Sequence, residues 1–87
     1  MSVRVEFYGI ARKRAGVEFV DIDATSLGEV FDRLCDAMPE FAAACLLEGQ
    51  LKSGFLANVN GRAFTTKRDT HLSENDAVLI VSADAGG

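Results

Sequence analysis

A single α+β domain, one main helix packed on a mixed β-sheet, is the fold that three features of this 87-residue sequence predict. Val3-Arg4-Val5-Glu6-Phe7 alternates apolar and charged residues, the period-2 mark of a half-buried strand. Leu27, Val30, Phe31, Leu34, Cys35 and Met38 recur at helical spacing and form one apolar stripe. Ala77-Val78-Leu79-Ile80-Val81 is the most apolar segment and reads as a central strand, covered on both faces or nearly so.

The elements follow in order. After the first strand, Tyr8 to Gly16 carries a glycine near each end and three adjacent basic residues, Arg12, Lys13 and Arg14, and reads as a connection. Val17 to Asp23 reads as a second strand with Val20 and Ile22 facing inward. Ser26 and Glu29 fit a capping box, in which hydroxyl and carboxylate satisfy the backbone donors that a helix start leaves free. Glu29, Asp32, Arg33 and Asp36 fall off the apolar stripe, toward solvent. Pro39 stops that helix and opens a short one over Glu40 to Leu47, closed by Gly49. Phe55, Ala57 and Val59 alternate with Leu56 and Asn58 as a strand. Asn60-Gly61 is a hairpin signal, because both positions tolerate positive φ. Ala63-Phe64-Thr65 returns as a short strand, and Ser73-Glu74-Asn75-Asp76 is a turn cluster. Parallel pairing of the first and last strands makes this arrangement a β-grasp.

Composition narrows the function. Nine basic and thirteen acidic residues leave a net charge of −4, and there is no basic block, so nucleic acid is an unsuitable partner. No apolar run approaches the ~20 residues that cross a bilayer, and no basic start precedes an apolar stretch, so the expected setting is the cytoplasm. Two cysteines are too few for a disulfide scaffold or a Cys-only zinc site. The expected organisation is a domain over residues 1–82 and a flexible tail over 83–87. Ala83-Asp84-Ala85-Gly86-Gly87 has no large apolar side chain to anchor it. A terminal Gly-Gly presents an unhindered carboxylate on a thin stalk, able to enter a slot closed to larger residues.

Taken together, these segments resemble the MoaD/ThiS family of sulfur carrier proteins, which have the ubiquitin-like fold. The likeness covers nearly the whole chain. Val3 to Phe7 is similar to the family's first strand, and Ala11-Arg12 through Ala15-Gly16 to its basic connection, with Arg12 or Arg14 in the basic place. Thr25 to Glu29 resembles its helix start, and Val59-Asn60-Gly61 its hairpin. Leu72 to Val78 resembles a further motif, with Glu74-Asn75 replacing the usual Asp-Gly, and Gly86-Gly87 matches its final pair. Molybdopterin-synthase small subunits usually carry proline before the tail, whereas Ser82, Ala83 and Asp84 stand here, which leaves the receiving pathway open.

The resemblance implies that a ubiquitin-activating-like adenylyltransferase uses ATP to adenylate the Gly87 carboxylate. A sulfur donor then makes it a thiocarboxylate, with Gly86 and Ala85 lying in the partner's channel. The chain itself would bind no cofactor and no metal and supply no acid or base. The sulfur would pass to an acceptor enzyme in cofactor biosynthesis, first of all the large subunit of molybdopterin synthase. Thiamine and amino-acid biosynthesis are the other branches. Strand alternation places Leu79, Val81, Leu56 and Phe19 on the sheet face away from the helix, as an exposed apolar patch for the partner, with Leu79 and Leu56 near its centre. The net charge favours a basic partner surface. Cys35 and Cys45 read as buried, reduced thiols, and His71 as a surface residue. Two other readings stay open: a ubiquitin-like modifier whose Gly87 is joined to a lysine, and an interaction domain with inert glycines.

Overall fold

The computed structural model describes residues 2–82. In chain order the elements are β1 (Ser2–Phe7), α1 (Ile10–Ala15), β2 (Phe19–Asp23), α2 (Leu27–Ala37) and α3 (Pro39–Cys45). They continue with β3 (Leu46–Leu47), β4 (Gln50–Leu51), β5 (Phe55–Val59), β6 (Ala63–Thr65) and β7 (Ala77–Ser82). Five strands make one sheet in the order β2-β1-β7-β5-β6, and β3 and β4 pair separately. β1 and β7 run parallel at its centre, Arg4 opposite Ala77 and Phe7 opposite Ile80, while the remaining pairs are antiparallel. A parallel pair cannot be joined by a tight turn and needs a crossover, which includes α2 here. One helix clasped by a mixed sheet with parallel central strands is the β-grasp arrangement.

Burial follows the sequence periods. β1 buries Val3, Val5 and Phe7, and β7 buries Val78 and Ile80. α2 adds Leu27, Val30, Phe31 and Leu34 to the same cluster, all without exposed surface. Phe7 and Phe41 meet edge to face with centroids 4.9 Å apart, which ties α3 to β1. Pro39 is the first residue of α3, so α2 ends at Ala37.

Side-chain carboxylates fasten the turns. Glu29 N–H donates to Ser26 Oγ at 3.2 Å, one half of the capping box. The Glu29 carboxylate reaches one residue further back than such a box requires, accepting from Thr25 N–H at 2.7 Å and Thr25 Oγ1 at 2.6 Å. Arg68 grips both Asp32 oxygens at 3.0 and 2.8 Å and the Gly49 carbonyl at 2.7 Å, joining the segment before β7 to α2 and the small hairpin. Gly28 is held close beneath it: a Cβ there would lie 3.0 Å from Arg68.

These bonds hold Glu29 (by Thr25), Asp32 (by Arg68) and Asp76 (by Ser73 N–H and Asn60) below their ordinary values of 4.5, 3.8 and 3.8. A carboxylate whose folded pKa is depressed contributes stability above its unfolded pKa and loses it as pH falls through the folded one. The urea midpoint is therefore expected to hold between about pH 7 and pH 5 and to fall steadily below about pH 4. A flat profile down to about pH 2 would contradict these pairings.

Four expectations need correction. Tyr8 to Gly16 is not a plain connection: Ile10–Ala15 is helical, its flanking glycines at φ 62 and 76. Only Ala11 of this helix is buried, so no apolar stripe announces it. The second strand starts at Phe19 rather than Val17. The short helix ends at Cys45, and Leu46-Leu47 turns through Glu48 (φ 52) and Gly49 (φ 77) to pair with Gln50-Leu51. Cys35 is exposed, unlike Cys45. It stands eight residues after Leu27, about 80° around the helix axis, at the margin of the stripe.

Candidate functional site

Along β7 the side chains alternate: Val78, Ile80 and Ser82 are buried, while Ala77, Leu79 and Val81 are only half-buried. The apolar run is therefore covered on one face, not both. Both helices that follow β2, and the β3–β4 hairpin, pack with one another on the covered side.

Register assembles the other face. Leu56 is opposite Val81. Leu79 is opposite Glu6 on β1 and Asn58 on β5. Glu6 is opposite Phe19, and Asn58 is opposite Phe64. One row thus crosses all five strands: Phe19, Glu6, Leu79, Asn58, Phe64. The four apolar residues expected on this face, Leu79, Val81, Leu56 and Phe19, share it. Phe19 is 42% exposed, and the Arg4 guanidinium lies 4.0 Å over its ring.

Phe64, 60% exposed, was not among the residues expected here. The hairpin decides its position. Val59 pairs with Ala63, so three residues form the loop, Asn60 and Gly61 among them at φ 56 and 70. A two-residue loop would slip the register by one and turn Phe64 to the core side. Asn60 also fixes the strand that follows in space: its Oδ1 accepts from Ala77 N–H at 2.8 Å.

β7 leads in sequence to residues 83–87. Ala85, Gly86 and Gly87, expected to form the reactive tail, lie outside the described residues. The end of β7 is shared with α1, because β1 runs parallel to β7 and Tyr8 N–H donates to the Ile80 carbonyl at 3.0 Å. The basic residues of α1 therefore stand at this end of the sheet, with Arg12 held by Glu18 at 2.6 Å.

Other chemistry is sparse. Among the described residues no three His, Cys, Asp or Glu side chains come close enough to hold a metal ion. Burial pushes the Cys45 thiol up, which suits an unreactive core position. His71 is exposed and bridges to Ser26. No described helix is long and apolar enough to cross a membrane.

No protein-family model matches the sequence, and no curated protein matches it. Solved structures do. SAMP1 from Haloferax volcanii superposes with a TM-score of 0.84 at 19% identity, over 100% of both chains. The chain has the ubiquitin-like β-grasp fold. A chain of the Amycolatopsis orientalis BexX/CysO complex matches this β-grasp at TM-score 0.78 and 21% identity, over 98% of this chain and 99% of that one. A candidate molybdopterin converting factor, subunit 1, from Pyrococcus furiosus matches at TM-score 0.71 and 18% identity, over 93% and 95%.

Proposed function

We propose that this β-grasp protein is a sulfur carrier whose Gly87 carboxylate is the sulfur-bearing group. The observation that carries the proposal is a central β-grasp strand, β7, that runs in sequence directly into a segment closing with Gly86-Gly87. The carboxylate attacks the α-phosphorus of ATP on an adenylating partner, and pyrophosphate leaves. Sulfide, HS−, delivered by the sulfur donor then attacks the acyl carbon of the adenylate, AMP leaves carrying one former carboxylate oxygen, a proton is released, and that oxygen has been replaced by sulfur. Gly86 and Ala85 pass through the partner's channel because neither carries a side chain larger than a methyl group. The partner supplies ATP binding and the sulfur donor, and an acceptor enzyme takes the sulfur for cofactor biosynthesis, molybdopterin first among the candidates. The subunit name of the Pyrococcus neighbour supports that choice.

A second reading keeps the same activated carboxylate and changes the acceptor to a lysine amine. The neighbours named small archaeal modifier protein 1 favour it. Both readings need the adenylate, so ATP–pyrophosphate exchange catalysed by the adenylating enzyme of the same organism is the test they share. Exchange that depends on this chain supports them, and none would leave an interaction domain with inert glycines.

The outer sheet face holds the carrier while its tail reacts. Leu79→Asp places a charge among half-buried apolar side chains of an interface and is expected to weaken binding to the adenylating enzyme at least tenfold, by calorimetry. An unchanged affinity would remove this face from the docking surface.

A further inference from the structure

Besides its apolar residues the outer face carries Arg4 and Asp21, which pair with each other, and two acceptors that have no partner among the described residues. Asn58 is 8% exposed, and its Oδ1 is buried with no hydrogen bond. A buried carbonyl without a donor costs free energy, and its persistence calls for an explanation. Glu6 is half-buried between Phe19 and Leu79 and has no ion pair among the described residues. The nearby cations are already engaged: Arg4 with Asp21 at 3.9 Å and with the Phe19 ring, and Arg12 with Glu18. Both acceptors belong to one row, on either side of Leu79 on β7. Two strand spacings put their backbones about 10 Å apart.

We infer that Glu6 and Asn58 are the specificity-determining polar residues of the docking face, read by a partner that sets a cationic side chain against Glu6 and a neutral N–H or O–H donor against Asn58 Oδ1. This rests on the carrier reading and adds to it the polar pattern of the adenylating enzyme's surface: an apolar seat for Leu79 flanked by two donors. Charge complementarity selects Lys or Arg for the first, since a half-buried carboxylate loses water on docking and only a cation compensates it fully. For the second, the donor enters beside Phe64. That residue is exposed on a three-residue edge strand, and its side chain turns aside on docking, as interface rotamers commonly do. The two acceptors also set register, because an apolar patch alone is indifferent to how a partner slides over it.

The test compares wild type, Glu6→Gln, Asn58→Leu and the double variant for affinity to the purified adenylating enzyme, at low and high salt. Each single change is expected to weaken binding about tenfold, and the double about a hundredfold, because sites this far apart act independently. Glu6→Gln should also flatten the salt dependence. Asn58→Leu should leave the thermal midpoint unchanged or raised, since it removes an unpaired buried acceptor, so its loss of affinity is not a loss of folding. Either single variant binding as the wild type does would overturn the inference while pyrophosphate exchange with the wild type leaves the carrier reading standing. A wild type that supports no exchange would overturn both.

Discussion

Deleting Gly87, or adding one residue after it, abolishes pyrophosphate exchange with the adenylating enzyme and leaves the urea midpoint where it was. Chemistry and stability reside in different parts of the chain. The hydrophobic cluster is built from residues between Val3 and Ile80, and Ala83-Asp84-Ala85-Gly86-Gly87 offers only two methyl groups as apolar side-chain area. At about 25 cal/mol per Å² of apolar surface, its loss removes little folding free energy. The reacting atom is another matter. An effective near-attack geometry holds the two atoms ~3–3.5 Å apart. Shortening the chain by one residue withdraws the carboxylate by about 3.5 Å, the span of one extended residue. Lengthening it by one pushes the carboxylate past the α-phosphate and replaces the glycine with a bulkier end. An extended protein that still exchanged pyrophosphate at the wild-type rate would show that the tail mechanism is wrong.

Phe31→Ala is the opposite case, a change far from the chemistry with a large effect on folding. Phe31 lies on α2 with no exposed surface, in the cluster shared by β1 and β7. Truncating a buried Phe removes its transfer free energy and leaves a cavity, together about 3–5 kcal/mol. Stabilities of native domains lie at about 5–15 kcal/mol, and a chain of this size sits toward the lower part of that range. At about 4–8 °C per kcal/mol, the thermal midpoint drops by roughly 12 °C or more. Circular dichroism melting checks this, and a midpoint within a few degrees of the wild type would mean that the helix-on-sheet packing is not as described. Partner affinity below the melting range should survive, because Phe31 is on the opposite side of the sheet from Leu79.

Much of this was legible in the sequence because the informative elements are amphipathic. β1 alternates strictly, α2 keeps its stripe, and the run from Ala77 to Val81 had no other place than the centre of the sheet. What escaped was structure with little apolar signal. α1 buries one alanine. β3 and β4 are two residues each, too short for any period. The clamp of Arg68 on Asp32 and Gly49 joins residues 36 and 19 positions apart, a contact that no local pattern encodes. The candidate face was legible at Leu79, Val81, Leu56 and Phe19, since alternation alone assigns them. Phe64 was not, because its face depends on a loop longer by one residue than the Asn-Gly signal suggests. The unpaired acceptors Glu6 and Asn58 could only emerge once register placed them beside Leu79.

Intact mass measurement of the protein purified from its native host tests the central claim most directly. A population heavier by the exchange of one oxygen for sulfur, lost when Gly87 is deleted, is the result predicted. A single unmodified mass, even after incubation with the adenylating enzyme, ATP and a sulfur donor, would contradict it.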